Sequence, residues 1–440
     1  MSGLARDGGL FLPTVIPDVS ERLDEWSEMS YQELAFEIMR LYADIEGNTL
    51  RGLIERSYST FSNQEITPVV RAGQLHIMEL FHGPTLAFKD VALQFLGNLF
   101  EHFLSLSNRN LNIVAATSGD TGSAAIHGVK GKTGIRIFVM FPKGRVSPAQ
   151  ERQMTSVLDK NVINIAVEGT FDDCQNILKS IFGDLEFKDS LSLGSVNSIN
   201  WARILAQIVY YFYGAFRVMK ETGANRIQFA VPTGNFGDIF AGFIACRMGL
   251  PIQKLILATN ENDILKRFFQ SGTYRSGQAR PTISPSMDIQ VASNFERYLY
   301  YRSGENSAIL KNFMDSFAKS GVIQVAPLAT GGIDDLFTAD SASAEDTLAV
   351  IKKFYEVHRY LMDPHTAVGV YAGEKFSAGK TPTICLATAH PAKFAEAIQK
   401  ATGRDLARHP AINALFDLPV RFETCKNSVH AVREIIKTHR

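Results

Sequence analysis

The sequence predicts an α/β protein built on parallel sheets, and three observations predict it. Short apolar runs of four to six residues recur through the middle of the chain, separated by helical stretches of ten or more. The runs are almost continuously apolar rather than alternating, as expected of parallel strands buried on both faces. Two runs end in Gly-containing loops that open helices, the usual ligand-binding corner of open α/β sheets.

The elements justify this reading in chain order. Residues 1–75 carry helical spacing over 20–46, with Leu34, Ile38, Leu41 and Ile45 on one face, and show no βα alternation. They are expected to form a helical arm or small domain. Residues 76–195 are expected to form a first α/β region, with strands at 111–116, 135–140 and 162–167 and helices at 88–107, 121–131, 147–159 and 171–183. Residues 196–440 are expected to form a larger α/β domain. It has a long helix at 199–220, strands at 227–231, 255–258 and 383–388, and helices at 236–249, 262–271 and from about 392. The stretch 270–345 is rich in Ser, Gly, Thr and Asp and reads as an insertion, with helical patterns at 288–301 and 306–319. There is no internal repeat and no low-complexity tract.

Composition excludes several function classes. Forty-five Lys+Arg balance 45 Asp+Glu, and no basic run of five exists to follow a nucleic-acid backbone or an anionic membrane. The most apolar stretch, 204–216, is flanked by Arg203 and Arg217 and falls short of the ~20 residues a membrane span needs. Cys174, Cys246, Cys385 and Cys425 have no CxxC spacing and read as reduced, buried thiols. The N-terminal stretch Met1 to Asp7 has no apolar signal core. A cytoplasmic globular enzyme is expected.

Named nucleotide and metal motifs are absent. No GxGxxG occurs, and no HExxH. Gly131-Lys132-Thr133 and Gly379-Lys380-Thr381 imitate the end of a P-loop, but Ile126 and Glu374 stand where its opening Gly belongs. The histidines have no ligand spacing, so no metal is expected.

Three features remain. The loops Thr117-Ser118-Gly119-Asp120-Thr121-Gly122 and Pro232-Thr233-Gly234-Asn235-Phe236-Gly237-Asp238 each put small residues and backbone N–H groups at a helix start. One such loop is commonly just a tight turn; two together suit two anionic groups. The third is Lys89, early in an apolar helix that Pro84 is expected to open. Burial and the positive helix end both lower an ammonium's pKa, which suits a Schiff-base nucleophile. The alternative is a lysine whose head reaches out to pair with Asp90 or Glu101.

At this point the motifs resemble a family. His82-Gly83-Pro84-Thr85-Leu86-Ala87-Phe88-Lys89-Asp90, the two loops above, Asn197 to Gln207, Thr388-Ala389-His390-Pro391-Ala392-Lys393-Phe394 and Asp7-Gly8-Gly9-Leu10-Phe11-Leu12-Pro13 are similar, in order, to segments of threonine synthases. The resemblance covers nearly the whole chain. It implies the tryptophan-synthase-β-like (fold type II) architecture of pyridoxal phosphate (PLP) enzymes, with two parallel-sheet α/β domains and a helical N-terminal arm. It implies a lyase that converts O-phospho-L-homoserine and water into L-threonine and phosphate, working as a monomer or homodimer. A phospholyase releasing 2-oxobutyrate and a non-catalytic homologue are the rival readings.

The resemblance also assigns roles. Lys89 is the catalytic lysine that joins PLP. Gly234, Asn235, Phe236, Gly237 and Asp238 form the cofactor-phosphate loop, and Thr388 sets its hydroxyl at the pyridine nitrogen, giving a milder electron sink than a carboxylate would. Ser118, Gly119 and Thr121 receive the substrate carboxylate. Asn200 and Arg203 are candidates for the substrate phosphate, with a structural ion pair as the alternative for Arg203. Two departures stand out. Asp120 occupies the cofactor-side position where many enzymes of this fold have Asn, and an ionised Asp would repel the cofactor's 3′ oxygen; it is expected instead to cap the helix beginning at Thr121. A Ser-Thr-Arg-Gly stretch usual ahead of the Gly-Gly-Leu-Phe region is not in this sequence.

Overall fold

The computed structural model describes residues 3–5, 7–377, 379 and 381–439. Met1, Ser2 and Arg6 of the N-terminal stretch and Lys380 of the P-loop imitation lie outside them. Among the described residues, no helix is long and apolar enough to cross a membrane, and no group of His, Cys, Asp and Glu is arranged to hold a metal ion.

The strands are β1 Val69–Ala72, β2 Leu75–Glu79, β3 Leu111–Ala116, β4 Ile135–Pro142, β5 Val162–Glu168, β6 Leu193–Gly194, β7 Ile227–Pro232, β8 Ile252–Thr259, β9 Thr273–Arg275, β10 Val322–Gln324, β11 Phe337–Ser341, β12 Thr383–Ala387 and β13 Glu423–Lys426. They form two main sheets. The larger has the order β1-β2-β12-β7-β8-β11, parallel except for the β1–β2 hairpin. The smaller, β13-β5-β4-β3-β6, is parallel throughout. β9 and β10 make a separate antiparallel ribbon. β4, β5 and β7 are buried along almost their whole length, which accounts for their continuous apolar runs.

The expected boundaries cut across both sheets. The β1–β2 hairpin joins the larger sheet beside β12, although β1 falls in the expected arm and β2 in the first α/β region. At the far end, β13 and the helix Val429–Thr438 return to the smaller sheet, so the chain's last segment belongs with 111–194. The stretch 270–345 is not wholly an insertion: β11 pairs with β8 and completes the larger sheet. The helix expected over 288–301 forms only over Phe295–Arg302.

The N-terminal residues do form helices, the longest being Tyr31–Met39 and Gly47–Tyr58. Ser30 caps the first of these in a capping box with Glu33. Tyr31–Met39 and the short helix Leu23–Ser27 pack on the long helix Trp201–Thr222, with Trp26 edge-on to Phe212 at 5.7 Å and Tyr31 edge-on to Tyr213 at 5.3 Å, while Gly47–Tyr58 packs on the helix Lys89–Ser107. The four cysteines are free; three are buried and Cys246 is half-buried.

Candidate active site

The lysine segment is fixed before its helix begins. Pro84 does not open that helix: it lies in a turn five residues ahead, and the helix runs Lys89–Ser107. The buried Asp90 carboxylate folds the turn back by accepting from Thr85 N at 2.8 Å and Thr85 Oγ1 at 2.7 Å. A Cβ on Gly83 would lie 2.4 Å from that of Asp90, so only glycine fits. Leu86 is held at φ 58°, a costly left-handed conformation for leucine. Phe88 N donates to Thr388 O at 2.8 Å and His390 N to Leu86 O at 3.1 Å. Lys89 and Thr388, 299 positions apart, are thereby joined by backbone pairing.

Lys89 is buried, with its Nζ 3.8 Å from Asp120 Oδ2 and 4.6 Å from the centre of the Phe88 ring. It does not reach out to Asp90 or Glu101, because Asp90 is engaged by Thr85 and Glu101 pairs with Lys132. Burial lowers the amine from its ordinary value, and the Asp120 carboxylate only partly opposes this.

Asp120 does not cap its helix. The helix is Asp120–Val129, its N-cap is Gly119 at φ 144°, and no side chain caps it. Asp120 instead accepts from Lys393 Nζ at 2.6 Å and Gln150 Nε2 at 2.7 Å. Burial would push its carboxyl up, but Lys393 and Lys89 together hold it well below the usual carboxylate range. In the same loop Thr117 Oγ1 accepts from Gly119 N and Gly122 N, both at 2.9 Å. Gly119 therefore contributes shape rather than a free N–H, since a Cβ there would meet Gln150 at 2.5 Å. The N–H groups of Ser118, Asp120 and Thr121 have no hydrogen-bond partner among the described residues.

The second loop follows β7. Phe236 sits at φ 63° and ends the loop, and the helix Gly237–Arg247 starts with no side-chain cap, leaving its first N–H groups facing outward from the sheet's carboxyl end. A Cβ on Gly234 would lie 2.6 Å from Ser286 O, and one on Gly237 would lie 3.2 Å from Asn294 Nδ2. Asn294 braces the loop by donating to Asn235 O from both its backbone N and Nδ2, each at 3.1 Å. The Asp238 side chain turns away from the loop's open face: Tyr210 and Tyr211 donate to its Oδ1 at 2.5 and 3.0 Å. Burial pushes that carboxyl up to about 6, and the tyrosine hydrogen bonds only partly offset the rise.

Thr388, buried just beyond β12, donates its backbone N–H to Thr366 Oγ1 at 3.2 Å. The Thr366 hydroxyl donates in turn to Asp363, which also accepts from His365 Nδ1 at 2.7 Å. His365 Nε2 accepts from Ser286 N at 3.1 Å, and Ser286 packs on Gly234. A chain of hydrogen bonds thus runs from the end of β12 to Ser286, which packs against the second loop. Asn200 and Arg203 open the Trp201 helix, where Asn200 Oδ1 accepts from Ala202 N at 3.0 Å. Arg203 is buried; its Nη1 donates to Val196 O at 3.1 Å and its Nε has no partner. It forms no ion pair among the described residues, so the structural alternative is not seen. Burial lowers its guanidinium to about 10.

Asp363, His365, Thr366, Gln150 and the role of Lys393 were not singled out from the sequence. Asp363-Pro364 does carry a signal, that of an N-cap with Pro at the first helical position. The assembled site has a buried lysine, two anion-receptive helix starts and a buried, unpaired Arg203. Asp120 is already charge-paired, and Asp90 and Asp238 are engaged by hydroxyl donors. Such a donor set fits a phosphorylated aldehyde together with an anionic substrate.

Comparison with known proteins agrees with this chemistry. Family models described as threonine synthase N terminus, pyridoxal-phosphate dependent enzyme, and threonine synthase, C-terminal match residues 1–58, 62–386 and 366–436. A threonine synthase of Saccharomyces cerevisiae is 50% identical over 437 residues, covering 91% of this chain and 85% of the relative. One of Pseudomonas aeruginosa is 44% identical, covering 100% and 94%. Among solved structures, a PLP-bound threonine synthase from Brucella melitensis superposes with a TM-score of 0.95 at 43% identity, covering 99% of this chain and 95% of that one.

Proposed function

The chain belongs to the threonine synthase family of PLP-dependent enzymes and shares its lyase activity, and from that premise we propose how its residues divide the work. The reaction takes O-phospho-L-homoserine and water to L-threonine and phosphate. Lys89 is the lysine to which PLP attaches. The N–H groups of Gly234, Asn235, Phe236 and Gly237 hold the cofactor phosphate, with Asp238 anchoring the helix beneath them through Tyr210 and Tyr211. Thr388 presents its hydroxyl to the pyridine nitrogen. PLP, when bound, supplies an electron sink for negative charge developing at the substrate carbons.

Ser118 and Thr121, on the loop shaped by Gly119, receive the substrate carboxylate. Asn200 and Arg203 receive the substrate phosphate and keep hold of it after it leaves Cγ; the unpartnered Arg203 Nε supports this role. Lys89, freed by the substrate amine, moves protons at Cα and Cβ; burial lowers its amine from the ordinary lysine value, so it gives up and takes back a proton more readily than an exposed lysine. Water then adds at Cβ. Localisation in the cytoplasm and a monomer or homodimer complete the reading.

The observation that carries it is the burial of Lys89 between the Asp120 loop and the Thr388 strand end. Borohydride reduction of the yellow protein should fix the cofactor onto Lys89, and K89A should lose the label while keeping its fold. A label on any other lysine removes the assignment. The products from O-phosphohomoserine in ¹⁸O-water decide between synthase and phospholyase. Threonine labelled at its side-chain hydroxyl is expected, with 2-oxobutyrate minor; 2-oxobutyrate as the main product would make the protein a phospholyase.

A further inference from the structure

The roles assigned above leave nothing for Lys393, yet its side chain is 0% exposed. A buried ammonium is strongly disfavoured unless it is paired and hydrogen-bonded. Lys393 ends the short turn Pro391–Lys393 just after Thr388, and its Nζ lies 2.6 Å from Asp120 Oδ1 and 2.8 Å from Thr85 O. Gln150 Nε2 donates to the same Asp120 oxygen at 2.7 Å. The other oxygen, Oδ2, is the one 3.8 Å from Lys89 Nζ. One carboxylate thus stands between two buried amines, and its short contacts go to Lys393.

The remaining charged groups that face Lys89 are Arg203 from the Trp201 helix, Asp363 at the start of the helix Pro364–Phe376, and Asp238 from the Gly237 helix. His365 faces Asp120. Asp363 is occupied by His365 and Thr366, and Asp238 by Tyr210 and Tyr211. Neither supplies Lys89 with a contact counter-ion.

We propose that Lys393 is a positioning residue: it holds Asp120 in a fixed charge pair, so that Lys89 is denied that carboxylate as a close counter-ion and releases its proton more readily. The same pair removes the difficulty of an Asp beside the cofactor's 3′ oxygen, because the site meets a neutral Lys393–Asp120 pair and not a bare anion. The direction of the Lys89 shift agrees. Burial lowers the amine, Asp120 raises it, and Lys393 and Arg203 add to the lowering. The inference rests on Lys89 being the lysine that carries PLP.

Two titrations test it in K393M, D120N and the double variant. One follows the visible band of the holoenzyme, whose pH midpoint reports the proton on the PLP–Lys89 linkage. The other follows labelling of Lys89 by an amine-directed reagent in the full chain stripped of PLP. K393M leaves Asp120 to Lys89 alone, so both midpoints should rise by about 1–3 pH units. Each unit is roughly tenfold less free amine, and so roughly tenfold slower labelling, at a fixed pH below the midpoint. D120N should lower both midpoints. If K393M alone does not fold, K393Q, which keeps a hydrogen-bond donor for Asp120 and Thr85 O but no charge, takes its place and should raise both midpoints; on the D120N background the Lys393 substitution should move them far less, because the carboxylate it holds is gone. Midpoints unmoved by K393M or K393Q, or moved as much on the D120N background as on the unmodified one, overturn the proposal. Borohydride label on a different lysine overturns the Lys89 assignment instead, so the two failures are told apart.

Discussion

Asp238 shows how one buried side chain leaves a mark on the whole protein's pH dependence. Its carboxyl is pushed up by burial to about 6, and its Oδ2 has no partner among the described residues. A carboxyl whose folded pKa is raised contributes stability that is fully present below its unfolded value, near 3.8, and is lost as pH rises through about 6. D238N removes that dependence. Between pH 4.5 and 7 the wild type should therefore lose more stability than D238N, by on the order of 2 kcal/mol, read from urea midpoints with saturating PLP. Parallel pH slopes in the two proteins would sink the assignment. Asp90, also pushed up to about 6, acts in the same direction and stays in both proteins. Residues of this kind differ in how readable they are from sequence. Lys89 was legible because an ammonium in an apolar helix start is anomalous on its own. Lys393, Asp363 and His365 were not, because their meaning lies in partners that only the fold supplies. Lys393 reaches Asp120 across 273 positions, and His365 reaches Ser286 across 79.

At the scale of elements, the site's dimensions are set by two helices that touch backbone to backbone. The Lys89 helix crosses the Asp120 helix where Gly97 meets Gly128: a Cβ on Gly97 would stand 1.9 Å from Gly128 O, and one on Gly128 would stand 2.5 Å from Leu93 O. Neither obstacle is a flexible side chain. G97A must push the helices apart and cost about 1–3 kcal/mol by overpacking, while moving Lys89 relative to Asp120. Thermal unfolding and PLP retention should fall together; a G97A protein matching wild type in both would show that the contact can relax. The second loop gives a sharper case. G237D sets a carboxylate where the backbone approaches a phosphate dianion, so PLP should be lost on dialysis while the fold survives. G234A meets Ser286 O at 2.6 Å and should weaken PLP by sterics alone. Retention of PLP by G237D would show the loop to be misassigned. Elements were legible where burial left a continuous apolar run or a helical period. β11 was not, because Asp340 interrupts its apolar pattern and is buried only by pairing with Lys266 and Lys375. β13 was not, because an edge strand with only Cys425 buried has no apolar run to read.

Across the whole molecule, the N-terminal segment, the Trp201 helix and the phosphate loop meet at one buried cation. Arg297 is 1% exposed and forms no ion pair among the described residues. Its Nη2 donates to Ile199 O at 2.7 Å and Phe11 O at 2.8 Å, its Nε to Phe11 O at 3.1 Å, and its Nη1 to Asn294 Oδ1 at 2.6 Å. Asn294 in turn braces Asn235. A planar fork is needed to serve three segments at once, which is why lysine should not substitute. Burial lowers the guanidinium to about 10, so it stays charged at neutral pH. R297M fills much of the volume but strands three acceptors, and should cost on the order of 3 kcal/mol. Because the stranded groups belong to the site's scaffold, the loss should be uneven: PLP should dissociate faster and KM for O-phosphohomoserine should rise, with kcat changed less. Arg297→Lys should resemble R297M in these readouts. If R297M lowered the melting temperature but left PLP release and KM untouched, Arg297 would be a fastener of the N-terminal segment alone, and the coupling of that segment to the phosphate loop through Asn294 would be wrong.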